Sequence, residues 1–226
     1  MSDLIRITRY GFVNAYLVRE EDGYTLIDTT LPRGAKKILA AAAKGGAPIV
    51  RIALTHAHGD HIGSLDELAS ALPDAEVIIS ARDARLLAKD MTLDPDEPED
   101  ELRGGYPGAA TKPTRTVQAG DRVGSLEVVP SPGHTPGHVS FLDTRDGTLI
   151  CGDAFTTLGG VATCAKANWI FRLAMKATWH RPTALASAKR LRELDPARLA
   201  TGHGRVVEAP ADAMDAAIRR ASASAS

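Results

Sequence analysis

Cysteine, net charge and long apolar runs are all scarce in this sequence of 226 residues. Its two cysteines, Cys151 and Cys164, provide no disulfide framework, and a chain of this length does not need one. The formal net charge is −1, from 27 basic and 28 acidic residues, so nothing predicts nucleic acid as a partner. No apolar run approaches about 18 residues, which excludes a membrane-spanning helix.

The beginning of the chain, MSDLIRITRYGF, also lacks the uninterrupted apolar segment of a signal peptide, because Asp3, Arg6 and Arg9 interrupt it. We therefore expect a cytoplasmic protein. The length suits one domain with a full core, so we predict a single domain over residues 1–226, with a frayed low-complexity tail at 221–226.

Apolar periodicity predicts strands followed by helices in each half of the chain. Strands are predicted at 4–10, 14–20, 24–30, 48–55, 75–80, 121–131, 138–144, 147–153 and 197–202. Helices are predicted at 34–44, 62–72, 82–90, 165–181, 183–194 and 211–221. This rough doubling indicates two packed sheets with helices outside. The acidic and glycine- and proline-rich residues 91–116 interrupt the pattern, as either a solvated loop or a substrate lid.

Three of the seven histidines lie within six positions, in the stretch THAHGDH. His56 and His58 are two residues apart in an extended segment, so their side chains point the same way. Asp60 and His61 lie at the turn into the next helix and point elsewhere, and Gly59 allows the backbone to turn between the two pairs. The spacing therefore favours one metal ion for the first pair and another for the second.

Three later segments have the same construction, in which a strand-like run and a glycine-containing turn precede a ligand residue. LEVVPSPGH ends at His134, TLICGD at Asp153 and ARLATGH at His203. Such strand ends bring distant side chains to one edge of a sheet. Five imidazoles and two carboxylates exceed what one zinc ion uses, whereas two ions that share a bridging carboxylate account for all seven. We interpret His138 and His180 as core, supporting or surface residues.

The segments THAHGDH, SPGHTPGHVSF, LICGDAF and TGHG, in that order, resemble the motifs of the metallo-β-lactamase fold superfamily, specifically its glyoxalase II-like hydrolases. Asp28, in TLIDTT, resembles the first motif of that family, where the aspartate supports the histidine loop. The resemblance runs from about residue 13 to about residue 207. It implies an α/β (α+β) protein with a four-layer αββα sandwich and a dinuclear metal site at one edge.

The resemblance also implies how the ligands divide between two Zn²⁺ ions, with Mn²⁺ or Fe²⁺ as alternatives. The ligands of the first ion would be His56, His58 and His134. The ligands of the second ion would be Asp60, His61 and His203. Asp153 would bridge the two. A hydroxide held between the ions would attack the carbonyl of a small ester, lactone or thioester, and Asp60 would act catalytically by orienting it and returning a proton to the leaving group.

The segment after the bridging aspartate is the expected specificity element. AKANWIFRLAMKATWHRP predicts a helix that is apolar over most of its circumference. It packs as core, lines an apolar substrate pocket or forms a homodimer interface. In the second case Phe155, Trp169 and Phe171 line the pocket.

Several activities stay open. Thr156 stands where acyl-homoserine-lactone lactonases commonly place a tyrosine, and the chain is short for the glutathione-binding region of glyoxalase II. A mono-iron persulfide dioxygenase and a β-lactamase are alternatives. A phosphodiesterase similar to ribonuclease Z is disfavoured by the balanced charge. A purely structural metal module is disfavoured because structural zinc sites are usually closed and four-coordinate.

Overall fold

The computed structural model describes residues 4–171 and 176–224, without the side chain of Phe171. In these residues two six-stranded sheets pack face to face. The first sheet consists, in spatial order, of β1 (Leu4–Arg9), β2 (Val13–Arg19), β3 (Tyr24–Ile27), β4 (Ile49–Ala53), β5 (Glu76–Ser80) and β6 (Arg115–Val117). Its first two pairings are antiparallel and the remaining three are parallel.

The second sheet has its strands in the order β14-β13-β10-β9-β8-β7. Their bounds are β7 (Arg122–Val123), β8 (Leu126–Pro130), β9 (Val139–Asp143), β10 (Thr148–Ile150), β13 (Arg198–Ala200) and β14 (Val207–Glu208). Only the β10–β13 pairing is parallel among these. A separate small hairpin joins β11 (Phe155–Thr156) to β12 (Ala162–Thr163).

Helices cover the outer face of each sheet. Their bounds are α1 (Ala35–Gly45), α2 (Gly59–Ile62), α3 (Leu65–Ala71), α4 (Ala81–Leu87), α5 (Arg181–Glu193) and α6 (Ala211–Ser222). Gly46 ends α1 with a left-handed φ of 77°, a conformation that suits glycine. Ser80 begins α4 by accepting a hydrogen bond from the backbone N–H of Asp83.

Three hydrophobic clusters fill the spaces between these layers. The first, which includes Leu26 and Leu68, lies between the first sheet and its helices. The second, which includes Ile78 and Phe141, lies between the sheets. The third, which includes Leu199, lies between the second sheet and α5 and α6. The predicted four-layer αββα sandwich is therefore confirmed. No helix in the described part of the chain is long and apolar enough to cross a membrane.

Two predicted helices are wrong in part. In the segment at 62–72, Ile62 is the last residue of α2, and α3 begins only at Leu65, after Gly63 and Ser64. The predicted helix at 165–181 begins instead with a turn and a β-bridge, followed by a short 3₁₀ turn at Trp169–Phe171. Leu173 and Met175 lie outside the described residues. Apolar periodicity overestimated this helix because it does not distinguish a helix from an irregular segment with the same composition.

Candidate metal centre

The seven predicted ligands meet at one edge of the sandwich, and each follows the end of a strand. His56 and His58 lie in the loop after β4, which continues into the first turn of α2 with Asp60 and His61. The remaining three come from the second sheet. They follow β8, β10 and β13 and are His134, Asp153 and His203.

Their ligand atoms form three overlapping groups, within each of which all atoms lie within 4.8 Å of one another. The first group is His56, His58 and His134. The second group is Asp60, His61 and His203. The third joins the other two and is His56, His61 and Asp153. All are buried except Asp60, whose side chain is 35% exposed. The site therefore opens towards solvent at Asp60.

Hydrogen bonds set the tautomers of the first group. His58 Nε2 lies 2.9 Å from the Arg103 carbonyl oxygen, which only accepts, so this nitrogen carries the proton and Nδ1 is a free acceptor. The Thr178 hydroxyl donates to the Cys164 carbonyl at 3.1 Å and therefore accepts from His134 Nδ1, also at 3.1 Å. His134 consequently presents Nε2, which lies 3.0 Å from His58 Nδ1.

His56 and His61 are oriented together through Asp28. The Thr55 hydroxyl donates to the Asp28 carboxylate at 2.9 Å and lies 3.0 Å from His56 Nδ1, while His61 Nδ1 donates to the same carboxylate at 2.8 Å. Among the buried atoms that no hydrogen bond reaches in residues 4–171 and 176–224 are His56 Nε2, and also His61 Nε2 and Asp153 Oδ1, which face each other at 3.3 Å. Buried polar atoms without partners are costly, and these are metal-binding atom types aimed at one another. The cluster therefore fits a metal site.

Asp153 touches both groups. Its Oδ2 lies 3.4 Å from His134 Nε2 and 3.2 Å from His203 Nε2, and its Oδ1 lies 3.3 Å from His61 Nε2. The second group also contains Asp60, whose Oδ2 lies 3.2 Å from His203 Nε2. Carboxylates are thus concentrated on the second group.

Because the carboxylates lie mainly beside the second group, the pKa values of its histidines differ from those of the first group. Burial, followed by the neighbouring imidazoles, holds the pKa of His56 and of His134 well below the usual range. Burial also acts to lower the pKa of His61 and His203, but the nearby carboxylates, led by Asp153, prevail. They raise the pKa of His61 well above its usual value and that of His203 to about 9.

Part of the 91–116 excursion forms a wall of the site. Besides the Arg103 carbonyl on His58, the Gly105 carbonyl accepts a hydrogen bond from the Gly59 N–H at 3.0 Å. The Tyr106 ring lies 4.6 Å from the imidazole of His58. Arg103, Gly105 and Tyr106 therefore contact the loop that carries His58, while Arg103, Gly104, Gly105 and Pro107 are exposed to solvent. Both interpretations of 91–116, a solvated loop and a substrate lid, stay predictions.

The sequence analysis missed Asp83, which contacts two of the ligand loops. The stretch SARD at the start of α4 is typical of helix capping, which would have left Asp83 a local role. The Ser80 cap is present, but the Asp83 carboxylate turns away from the helix and accepts hydrogen bonds from Ala57, Thr135 and Gly137. Burial raises the pKa of Asp83 to about 6.

The two histidines that we did not interpret as ligands lie outside the three groups. His138 Nδ1 lies 2.8 Å from the Ser131 hydroxyl, and His138 Nε2 accepts a hydrogen bond from the Asp153 N–H at 3.1 Å. His138 thus holds the backbone of Asp153, the residue predicted to bridge the two ions. His180 caps α5 by accepting a hydrogen bond from the Thr183 N–H.

Phe155 and Trp169, two of the three predicted pocket residues, lie in different surroundings. Phe155 is buried in the third hydrophobic cluster, so it offers no surface to a substrate in this structure. Trp169 is 83% exposed, and the side chain of Phe171 lies outside the described residues. A pocket role for Trp169 and Phe171 stays a prediction.

An αββα sandwich with this edge cluster defines a class of metal-binding proteins, and comparison with known proteins identifies the family. The family model described as Metallo-beta-lactamase superfamily matches residues 8–203. The chain therefore belongs to the metallo-beta-lactamase superfamily, whose members are generally metal-dependent hydrolases.

The chain is also similar in sequence to other proteins. The chain is 48% identical over 210 residues to the uncharacterized protein YobT of Bacillus subtilis. This match covers 92% of the chain and 90% of YobT. It is 35% identical over 150 residues to the hydroxyacylglutathione hydrolase of Rhodospirillum rubrum, in a match that covers 64% of this chain. The match spans 48% of that hydrolase, so the chain corresponds to about half of its length.

Solved structures share the fold. TTHA1623, crystallised in a di-iron-bound form, has a TM-score of 0.66 at 27% identity, and the match covers 93% of this chain and 96% of TTHA1623. The BLEG-1 B3 metallo-beta-lactamase has a TM-score of 0.69 at 20% identity, with coverage of 94% and 96%. At that identity the second likeness shows the fold alone.

Proposed function

We propose that this chain is a dinuclear metal hydrolase that holds two Zn²⁺ ions and cleaves a small ester, lactone or thioester. One observation carries the proposal: Asp153 lies between two groups of ligand atoms and faces a nitrogen of each within 3.4 Å. A single ion would leave several of these buried ligand atoms without a partner, whereas two ions use all seven.

The residues would divide as their groups do. His56, His58 and His134 would hold the first ion, and Asp60, His61 and His203 the second. Asp153 would contact both. Bound there, such ions supply a Lewis acid for a carbonyl oxygen and lower the pKa of a water molecule.

Asp60 is the residue best placed to handle the proton. It is the partly exposed member of the cluster, so its carboxylate borders the space from which a substrate enters. It would accept a hydrogen bond from the attacking water, orient it, and carry the proton to the leaving group. Nearby imidazoles, led by His61, lower the pKa of Asp60 against the effect of burial, so it enters this cycle ionised.

The rim next to the second group favours a substrate with an apolar part. The Phe12 ring stacks on His203 with a centroid distance of 6.0 Å, and the neighbouring Tyr10 is 73% exposed. Trp169 and Ile170 are 83% and 52% exposed. Ile170 lies against Gly159, in the loop that also contacts Gly204 beside His203. Exposed apolar side chains around a catalytic edge commonly contact ligands.

The similar proteins favour a thioester among the three substrate classes. Hydroxyacylglutathione, named in several relatives, is a thioester. These relatives are matched over only about half of their length, so a different leaving group is expected here. The di-iron form of TTHA1623 keeps Fe²⁺ as an alternative metal, beside Mn²⁺.

A substrate panel tests the proposal. The purified chain is loaded with zinc, manganese or iron, its metal content is measured, and it is assayed on lactones, thioesters, β-lactams and a phosphodiester. We expect about two ions per chain and turnover of a carbonyl substrate, which chelation abolishes and Asp60→Asn lowers while leaving the first ion bound. Turnover of the phosphodiester alone, or one iron per chain with persulfide oxidation, would contradict it.

A further inference from the structure

Asp83 is a buried carboxylate that the proposed reaction does not use. Its side chain is fully buried in the first turn of α4, and the end of that helix is already capped by Ser80. Burying a carboxylate is unfavourable unless hydrogen bonds compensate for the lost water. Its hydrogen bonds therefore indicate why it is there.

The Asp83 carboxylate accepts three hydrogen bonds, and all come from the two loops that carry the first ligand group. The backbone N–H of Ala57 donates to Oδ2 at 3.0 Å, and the Thr135 hydroxyl donates to the same oxygen at 2.8 Å. The backbone N–H of Gly137 donates to Oδ1 at 2.8 Å.

Two of the three donors adjoin the ligands in sequence. Ala57 lies between His56 and His58, and Thr135 directly follows His134. The two loops come from different sheets, and they meet where His58 Nδ1 and His134 Nε2 lie 3.0 Å apart. A shift of either loop would change this separation directly.

Only an ionised carboxylate satisfies this set of donors. Both of its oxygens accept, whereas the amide of asparagine would turn an N–H group towards either the Ala57 N–H or the Gly137 N–H. The His134 loop approaches α4 so closely that a Cβ atom added to Gly137 would lie 2.5 Å from the Asp83 backbone nitrogen.

We propose that Asp83 is a positioning residue that holds the His56–His58 loop and the His134 loop at the separation required by the first metal ion. This inference rests on the proposed dinuclear site. It predicts that loss of the carboxylate weakens the first metal position and leaves the second one intact.

The test compares Asp83→Asn with Leu86→Ala, which truncates a fully buried side chain on the same helix that makes no hydrogen bond to a ligand loop. Both variants are titrated with Zn²⁺ and with Co²⁺, whose visible absorption reports the geometry at each position. We expect Asp83→Asn to bind one of the two ions about 10-fold to 100-fold more weakly, with altered cobalt bands for that ion only. Leu86→Ala should lower the melting temperature yet keep both ions and the wild-type spectrum.

A milder variant covers the case in which Asp83→Asn does not fold. Thr135→Val removes one of the three donors with little change of shape, and it should shift the same ion in the same direction by a smaller factor. Wild-type affinities and spectra in the folded variants, or equal weakening by Leu86→Ala, would overturn the role of Asp83.

A crystal structure of metal-free Asp83→Asn separates this inference from the proposed function. We expect the distance between His58 Nδ1 and His134 Nε2 to depart from 3.0 Å by about 0.5 Å or more, the tolerance within which functional sites are usually held. An unchanged distance would overturn the positioning role. This readout does not depend on metal stoichiometry or turnover, so a wild-type chain that binds one ion or hydrolyses nothing would contradict only the proposed function.

Discussion

The two ligand groups of this site differ in charge and in access to solvent. The first group consists of three buried imidazoles whose tautomers are set by hydrogen bonds, among them those from His58 to the Arg103 carbonyl and from His134 to Thr178. The second group contains Asp60 and lies open to solvent there. Its histidines have raised pKa values, because Asp153 and Asp60 stabilise their protonated forms.

This difference suggests a division of work at one edge of the fold. In the proposed hydrolase, the ligands of the first metal position would be fixed by hydrogen bonds from surrounding loops. The second metal position would contain the carboxylates that neutralise positive charge, and it adjoins the exposed rim. That arrangement suits the binding of substrate and proton transfer by Asp60. The following predictions test that division, beginning with the largest expected effect.

Replacing Asp153 should disable both positions at once, because its oxygens face His134, His61 and His203. We expect Asp153→Ala to lower kcat/KM by at least about 10³-fold, which corresponds to about 4 kcal/mol of transition-state stabilisation. Metal analysis should show both ions weakened. Asp74→Ala, at an exposed position, is the control, and retention of one tightly bound ion by Asp153→Ala would argue against a bridging role.

A side chain at Gly104 should damage the first position alone. Gly104 has a φ of 94°, and a Cβ atom there would lie 2.3 Å from His58 Nε2. Gly104→Ala should therefore displace His58 and weaken the first ion by about 100-fold. Gly105→Ala is a matched control, because a Cβ atom at that neighbour meets no atom within 4 Å. Equal metal binding by the two variants would show that residues 103–107 do not position His58.

Replacing Asp28 should weaken metal binding mainly at the second position, in contrast to the change at Gly104. In Asp28→Asn, an amide N–H placed against His61 Nδ1 would favour the proton on Nε2, the nitrogen that faces Asp153. We expect the second ion to bind about 10-fold more weakly, a usual effect for a group that orients a ligand. Isothermal titration with zinc measures this. Asp28 reaches His56 only through the Thr55 hydroxyl, so a larger loss at the first position than at the second would contradict the assignment of the two groups.

The smallest effect concerns the pH dependence of the metal-free protein at His138. Burial lowers the pKa of His138 from its ordinary 6.5 to about 3. The contribution of neutral His138 to stability is therefore complete above pH 6.5 and is lost as the pH falls below it. Between pH 6.5 and 5 the loss should be about 2 kcal/mol.

Chemical denaturation of the wild type and of His138→Gln at several pH values measures this effect. The difference in unfolding free energy between the two proteins should shrink as the pH falls from 7.5 to 5. A difference that stays constant would show that His138 titrates normally in the folded chain.

Local sequence patterns were sufficient to predict the layers and the residues that gather at the candidate metal centre. Strand ends followed by glycine turns identified His134, Asp153 and His203 as partners of the histidine cluster, and the structure brings all of them together. Alternation and periodicity depend on neighbouring residues, so they also located most strands and helices. They failed at 165–171, where Trp169 is exposed in a 3₁₀ turn and not packed on a helix.

The amino-acid sequence by itself therefore determined which side chains gather at the edge of the sandwich, and it predicted that they bind metal. Only the tertiary structure decided how those side chains are held. The Arg103 carbonyl is 45 residues from His58, and Asp83 is 54 residues from Gly137, so neither contact has a local signature. The physical reason is that ligand type is a property of one residue, whereas tautomer and spacing depend on hydrogen bonds that form only after distant loops have packed.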